Sequence, residues 1–257
     1  MIDHSVNGVR PQTNPDRDDT PQAGTGKSAG TRRRLGPAER ERQILDGAIR
    51  FFAQRGFDGQ MRDLARSIGV THTLLYHYFP TKQALIDRVY TEVFEGRWRT
   101  EWEALLDDRQ LGAEDKFTVF YKEYVNNALT RDFVRILVFS GLADHAITDR
   151  FFGLLRERLF PRLIRETRRY RGVSSRAKPS RRELELLMGL HGGFFYITMR
   201  RWIYGQEVHS EATPGEYDEA QVRDRVRSYL MSSRELFGTP GSPVAVAPTR
   251  RSRGAHP

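Results

Sequence analysis

The sequence has no cysteine among its 257 residues. Disulfide bonds, thiolate catalysis and zinc sites with cysteine ligands are therefore excluded. It also has no apolar run close to the roughly 18 residues that a membrane-spanning helix needs. Residues 1–30 contain no apolar core of the kind found in a signal peptide. From these absences we expect a soluble, cytoplasmic protein without membrane contact.

Catalytic motifs are also missing. The HGG triplet at residues 191–193 resembles an esterase oxyanion loop, but no G-x-S-x-G nucleophile elbow accompanies it. Residues 24–28, GTGKS, look like the end of a phosphate-binding loop, yet Pro21 occupies the position of that loop's first glycine. There is no HExxH zinc motif. We therefore expect no enzyme activity, no cofactor and no metal site.

The residue pattern is that of an all-α protein. Alternation of polar and apolar residues, typical of strands, is absent, whereas helical spacing continues through most of the chain. A first helix carries apolar residues over 44–52 and can end at Gly56. Further helices are predicted near residues 61–68, 71–78, 82–107, 114–130, 132–147, 149–170, 181–208 and 216–236. Residues 1–34 and 238–257 are rich in proline, glycine and small polar residues, so we expect both ends to be disordered.

The chain is basic, with 42 Lys and Arg against 33 Asp and Glu and a formal net charge of +9. Such a balance favours an anionic partner such as nucleic acid. Three arginines at 32–34 end the leader, where they can follow phosphates or simply improve solubility. A denser basic segment, residues 161–182, is better explained as a solvated helix end and loop than as a second nucleic-acid contact.

Residues 69–82, GVTHTLLYHYFPTK, combine histidines and aromatic residues between a glycine and a lysine. Gly69 lies between two short helical patterns, where a left-handed turn residue is needed. Ala65, four residues earlier, is small enough for a second helix to approach closely. This spacing is typical of two short helices that cross steeply, a helix-turn-helix.

On a helical wheel of residues 72–79, at about 100° per residue, the polar and apolar side chains separate. Leu75, Tyr78 and Phe79 face a core. The outward face consists of His72, Thr73, Tyr76 and His77. Thr71 stands at the N-cap position, where its hydroxyl can accept a backbone N–H. Such a helix suits a DNA major groove.

The residues after this helix point the same way. Pro80 ends the helix, Thr81 can cap the next one, and Lys82 lies in the following first turn. A cation at this end of a helix is explained if it contacts a phosphate. An ordinary solvated surface is the alternative for the whole stretch. A metal site is disfavoured because His72 and His77 lie about 140° apart and lack a third ligand.

The segments RQILDGAIRFFAQRGF, from residue 42, and MRDLARSIGVTHTLLYHYFPTKQALIDRVY, from residue 61, resemble the N-terminal DNA-binding domain of TetR-family transcriptional regulators. The resemblance covers about residues 40–90, and beyond them only the helical pattern agrees. One departure lies in GFDGQ, which is one residue shorter than usual. Gln60 replaces a hydroxyl residue there, so Gln60 or Asp58 must cap the second helix.

The resemblance implies roles for the matched residues. Thr71, Tyr76 and Lys82 match phosphate-binding positions, while His72 and Thr73 match positions that face base edges or nearby backbone. The second histidine of the helix lies against the DNA backbone. The candidate DNA-binding residues are Arg33, Arg34, Gln60, Thr71, His72, Thr73, Tyr76, His77 and Lys82.

The later helices of TetR proteins form a ligand-binding and dimerisation domain. Of 28 aromatic residues here, 19 lie in residues 90–205, so an apolar effector pocket is expected, although such aromatic stripes are more often core. The candidate effector-binding residues are Phe120, Tyr124, His145, His191 and Phe195. The candidate dimer-interface residues are Gly189, Gly193 and Tyr196. Helical glycines indicate close helix approach or room for a ligand, and His191 fits either the pocket or the interface.

The resemblance thus implies four regions. They are a disordered arm with a basic end (1–34), a TetR-type helix-turn-helix domain (35–90), a helical effector-binding and dimerisation domain (91–237) and a disordered tail (238–257). The expected function is that of a homodimeric, sequence-specific repressor of transcription. A small apolar effector would release it from double-stranded DNA carrying an inverted-repeat operator. The alternative is a dimeric DNA-binding or architectural protein that senses no ligand.

Overall fold

The computed structural model describes residues 35–143, 146–207 and 216–238. All regular structure in these ranges is helical, which confirms the all-α prediction. The helices are α1 (Pro37–Arg55), α2 (Met61–Ile68), α3 (His72–Tyr78), α4 (Lys82–Val93), α5 (Thr100–Asp107), α6 (Ala113–Glu123), α7 (Arg131–Gly141), α8 (Ala146–Leu154), α9 (Phe160–Tyr170), α10 (Arg181–Trp202) and α11 (Glu219–Phe237). The predictions for residues 1–34, for His145 and for nearly all of the tail lie outside the described residues. None of the described helices has the length and apolar character needed to cross a membrane.

Helices α1 to α4 share one core, built from the apolar stripe recognised in the sequence. Its α1 residues are Ile44, Leu45, Ala48, Phe51 and Phe52. A Cβ atom on Gly47 would lie 2.1 Å from Cγ2 of Ile68, so α1 and α2 touch where α1 has no side chain. Gly56 follows α1 with a φ of 73°, a left-handed conformation that ends the helix at little steric cost. The predicted end of the first helix is therefore confirmed.

The single helix predicted over 82–107 is interrupted in the structure. Helix α4 ends at Val93, a 3-10 turn follows at Glu95–Arg97, and α5 begins at Thr100. The ring of Phe94 at the break is buried, with its centroid 4.4 Å from that of Phe133. Glycine destabilises helix interiors, and Gly96 lies inside this turn. Local helix weakness and burial of the Phe94 ring together explain the break.

Two π-helical segments interrupt the helical pattern. Residues Tyr124–Ala128 extend α6, and residues Leu155–Leu159 join α8 to α9. Proline has no backbone N–H to donate to the preceding turn, so Pro161 accounts for a local change of hydrogen bonding near the second segment. Such segments are rare and often lie at functional sites.

The basic segment 161–182 is largely engaged in holding the fold. Arg168 donates to both carboxylate oxygens of Glu183, at 2.8 and 2.6 Å, and to the carbonyl of Ala177. Arg171 donates to the same carboxylate at 2.7 Å. These contacts, led by the Arg168 hydrogen bond, hold the pKa of Glu183 well below its usual range. The loop before α10 is thereby tied to α9, and these arginines need no second nucleic-acid contact to explain them.

A buried ion pair joins α6 to α9. Lys116 Nζ lies 2.6 Å from Glu166 Oε2, and the two side chains are 0% and 5% exposed. Lys116 also donates to the Leu106 carbonyl at 3.2 Å. Arg165 and Arg169 approach the same carboxylate from outside. A buried charge with this many partners is tolerated, whereas one that loses its partner is strongly destabilising.

We therefore predict that Lys116→Met lowers the free energy of unfolding by about 3 kcal/mol, the low end for a broken buried ion pair, because Glu166 loses its buried ammonium partner but keeps Arg165 and Arg169. The double variant Lys116→Met/Glu166→Met should recover most of that loss. Urea-induced unfolding followed by circular dichroism measures both. Equal stability of the single variant and the natural protein would contradict the prediction.

Candidate nucleic-acid interface and buried aromatic cluster

Helix α3 has the exposed polar face that the helical wheel predicted. The exposed residues at this site are Thr71, His72, Thr73, Tyr76 and His77. On the opposite side, Leu75 is 0% and Phe79 5% exposed. The ring of His72 lies edge-on to that of Tyr76, with centroids 4.6 Å apart, so the two rings form one continuous contact surface.

Local backbone geometry fixes the orientation of α3. Gly69 ends α2 with a φ of 70°, as its position in the sequence predicted. The Thr71 hydroxyl accepts the N–H of Leu74 at 3.2 Å, and the Thr81 hydroxyl accepts that of Ala84 at 3.0 Å. Both predicted N-caps are confirmed. The hydroxyl hydrogen of Thr71 is not used by its cap, so Thr71 can also donate to a phosphate oxygen.

Lys82 contacts the loop between α1 and α2. Its Nζ donates to the carbonyl of Phe57. Gln60 follows in the same loop and occupies the N-cap position of α2, but its side chain makes no capping hydrogen bond. The expected cap by the Gln60 or Asp58 side chain is therefore corrected: the Gln60 carbonyl accepts from Asp63 and Leu64, while its side chain stays exposed. A lysine and the positive end of a helix thus meet at one loop.

Sequence analysis did not single out Arg50 on α1 or Arg62 on α2. Both are exposed, and neither has an ion pair with another residue in the part of the chain that the structure describes. Arg62 lies in the first turn of α2, directly after Gln60 and Met61. The sequence signal for Arg62 was its position two residues after Gln60. Whether an isolated arginine is exposed, however, can be judged only once the buried face of its helix is known.

The candidate effector residues lie in a packed aromatic cluster. Phe120, Tyr124 and His191 are 0%, 3% and 4% exposed. The ring of His191 lies 5.3 Å from that of Tyr124 and 5.5 Å from that of Phe160, measured between centroids. Phe195 is half-buried against the same core, outside these ring contacts. Three of the candidates therefore come together, but they fill the interior and line no open space.

Two polar atoms in this cluster lack a hydrogen-bond partner among the described residues. They are Nδ1 of His191 and the hydroxyl oxygen of Tyr121, whose side chain is 0% exposed. Burial lowers the pKa of His191 to about 4 and raises that of the Tyr121 hydroxyl well above its usual value. Both groups are therefore uncharged at neutral pH.

The π-helical segment Tyr124–Ala128 connects this cluster to several helices. Its Asn126 side chain donates to the Tyr217 carbonyl at 3.2 Å and accepts the Tyr217 N–H at 2.9 Å, just before α11. Arg97, after α4, donates to the Asn127 carbonyl at 3.4 Å. The segment that contains Tyr124 therefore also contacts the turn after α4 and the residues just before α11.

Gly189 and Gly193 lie on the side of α10 opposite His191, at about 160° around the helix. A Cβ atom on Gly189 would meet nothing within 4 Å, and one on Gly193 would meet only Arg225, at 3.7 Å. Tyr196, one turn further along this face, is 54% exposed. A groove of about 610 Å³ runs between α10 and α11 beside Gly189. These two glycines therefore leave open space on the outer surface of α10.

Comparisons with known proteins give a family match over the DNA-binding region. The family described as "Bacterial regulatory proteins, tetR family" matches residues 44–89. A curated helix-turn-helix-type transcriptional repressor from Mycobacterium tuberculosis is 47% identical over 49 residues, covering 19% of this chain and 26% of that protein. The chain spans less than a third of the length of the curated relatives it matches.

The solved structures extend the similarity to the whole fold. A TetR-like transcriptional regulator from Rhodococcus has a TM-score of 0.54 and 20% identity, covering 80% of this chain and 100% of that one. FadR from Bacillus subtilis, in complex with stearoyl-CoA, has a TM-score of 0.53 and 15% identity, covering 75% of this chain and 98% of that one. At these identities the similarity shows a shared fold.

Burial of neutral His191 makes stability depend on pH. Because its pKa is about 4 in the folded protein and about 6.5 when exposed, the unfolded chain binds more protons between these values. The free energy of unfolding therefore falls as pH falls through this window, by roughly 3 kcal/mol from this residue. We predict that, between pH 7 and pH 4, the free energy of unfolding of His191→Phe falls by roughly 3 kcal/mol less than that of the natural protein. Urea unfolding at several pH values in this range measures the difference. Parallel pH profiles for the two proteins would contradict this.

Proposed function

We infer that this chain, which belongs to the TetR family of bacterial transcriptional regulators through residues 44–89, binds double-stranded DNA with α3 and regulates transcription. The observation that carries this inference is the exposed polar face of α3, held in place by buried Leu75. A helix in a major groove reads base edges with short polar side chains near its N-terminus. In this proposal, His72 and Thr73 read the base edges.

The phosphate contacts in this proposal surround α3. Thr71 and Tyr76 contribute hydroxyl groups, and Lys82 contributes a cation beside the α1–α2 loop. Gln60 at the start of α2 and His77 at the end of α3 contact the DNA backbone in the same proposal. Arg33 and Arg34, from the leader, reach phosphates or the adjacent minor groove.

The protein acts as a homodimer in this proposal. The outer face of α10, with Gly189, Gly193 and Tyr196, packs against the same face of a second copy, together with α11. The support is a glycine-bearing surface beside the exposed ring of Tyr196, where a partner backbone can approach closely. A two-fold dimer presents two copies of α3 to two half-sites, so the operator is an inverted repeat.

The sign of regulation in this proposal is repression, relieved by a small, largely apolar effector. One matched relative is a transcriptional repressor, and one fold neighbour was crystallised with stearoyl-CoA. Effector binding involves the cluster of Phe120, Tyr124 and His191, with Phe195 and His145 as further candidates. A ligand can shift the equilibrium toward a DNA-free dimer only by binding that form more tightly. The alternative remains a dimeric DNA-binding protein that senses no ligand.

Substitution of Lys82 and Tyr76 tests the DNA contact. The slope of log affinity against log salt concentration is negative. In Lys82→Ala it should be less steep by about one, because one phosphate contact is lost. Tyr76→Phe should weaken binding to all sequences by about tenfold, since a hydrogen bond to a charged group contributes about 1.5 kcal/mol. Fluorescence anisotropy with labelled duplex DNA at several salt concentrations measures both.

The matched controls are Lys82→Arg, which keeps the charge, and Lys178→Ala, which removes a charge from an exposed loop far along the chain. Both should retain the natural salt slope. If Lys82→Ala and Lys178→Ala have the same slope as the natural protein, Lys82 does not contact phosphate.

Gly189→Leu tests the dimer face. The protomer has room for the new side chain, and leucine favours helix more than glycine does, so folding should be preserved. If a partner helix packs closely on this face, the leucine side chain overpacks the contact and weakens dimerisation by about 1–3 kcal/mol. Sedimentation equilibrium measures the dimer dissociation constant, with Ser174→Leu in an exposed loop as the control. An unchanged dimer would place the interface elsewhere.

A further inference from the structure

We propose that the effector of this chain is a neutral, ring-bearing molecule with one hydroxyl group, and that Tyr121 and His191 bind that hydroxyl inside the aromatic cluster. The proposal rests on the proposed function, because it names the ligand class of the effector-binding region. It assigns a role to Tyr121, which is not among the candidate effector residues predicted from the sequence.

The Tyr121 hydroxyl and His191 Nδ1 are buried without hydrogen-bond partners among the described residues. A nearby tyrosine behaves differently, since the Tyr229 hydroxyl lies 3.0 Å from that of Thr167. Unpaired buried polar groups destabilise a protein and are uncommon in native structures. Their rings are neighbours, with centroids 6.0 Å apart, so in this proposal one polar ligand group pairs with both.

A hydroxyl group fits this pair better than other neutral polar groups. The Tyr121 O–H needs an acceptor, and a ligand hydroxyl oxygen supplies one. Nδ1 of neutral His191 is a donor in one tautomer and an acceptor in the other. A hydroxyl can satisfy His191 in either state, whereas a carbonyl oxygen can satisfy only the donor.

The surroundings select a neutral ligand with rings. Tyr121 stacks on Phe194 at 4.3 Å between centroids, and Tyr124 and Phe160 flank His191. Flat apolar rings pack well between such side chains. The nearby Lys116 and Glu166 already pair with each other, so neither is left to compensate a charged ligand. An anion or cation would lose its hydration here without an equivalent replacement.

Ligand entry requires the packed cluster to expand. The two π-helical segments border it: Tyr124 begins the first, and Phe160 follows the second. Such turns are rare and frequently lie at functional sites, so the proposal locates the rearrangement in them. The groove between α10 and α11 is lined in part by Leu190 and Tyr229, whose buried side chains belong to the same core as the cluster. In this proposal, these features give the cluster a deformable wall and an adjacent opening.

The first test uses the ligand-free protein. Tyr121→Phe removes the unpaired hydroxyl and keeps the ring, so it should raise Tm by roughly 2–4 °C. Tyr229→Phe, which breaks a hydrogen bond, is the matched control and should lower Tm. A lower Tm for Tyr121→Phe would show that its hydroxyl is already paired in the free protein, and would overturn the proposal.

The second test uses three probes, phenol, naphthol and phenanthrol, each compared with its parent hydrocarbon and the corresponding carboxylate. At least one alcohol should raise Tm of the natural protein more than both of its counterparts, because it binds the folded form. Tyr121→Phe and His191→Phe should lose that preference. If no alcohol exceeds its counterparts, or if the preference persists in Tyr121→Phe, the proposal is wrong.

DNA binding separates this proposal from the proposed function. Tyr121→Phe should bind DNA with the affinity of the natural protein when no probe is present. An effective alcohol should release DNA from the natural protein and not from the variant. If the natural protein binds no DNA, the proposed function fails. If it binds DNA but responds to none of the alcohols, only the ligand proposal fails.

Discussion

Burial of Leu75 and Phe79 determines which face of α3 is exposed to a partner. Helix α3 has only seven residues, and so short a helix is unstable by itself in water. Its rotation is fixed because these two side chains enter the core formed with α1, α2 and α4. The histidines and Tyr76 therefore face outward as a consequence of packing, and the DNA-binding proposal depends on this constraint.

The features of the site that follow from local chemistry could be predicted from the sequence. Gly69 adopts the left-handed conformation that its place requires, and Thr71 and Thr81 cap their helices as expected. Tertiary contacts were less accessible. The Lys82 bond to Phe57 joins residues 25 positions apart, and no local pattern indicates it. The break after Val93 depends on burial of the Phe94 ring as well as on Gly96, so apolar spacing alone could not locate it.

The buried cluster offers a physical route by which an effector could influence DNA binding. Tyr124 contacts His191, while Asn126 and Asn127 in the same π-helical segment bind Tyr217 and Arg97. A rearranged segment would therefore disturb the start of α11 and the turn after α4. Helix α4 packs in the core that holds α3, and α11 borders the proposed dimer face. Ligand binding in the cluster and the distance between the two copies of α3 in the proposed dimer can be coupled through these contacts.

Selection of bound sequences from random duplex DNA tests the central claim most directly. The full chain should be used at a stated salt concentration, because the phosphate contribution to affinity depends strongly on salt. We expect an enriched inverted repeat whose half-sites lie about one or two helical turns apart. Salt-sensitive binding without an enriched motif, or no binding at low salt, would contradict specific recognition of DNA by α3.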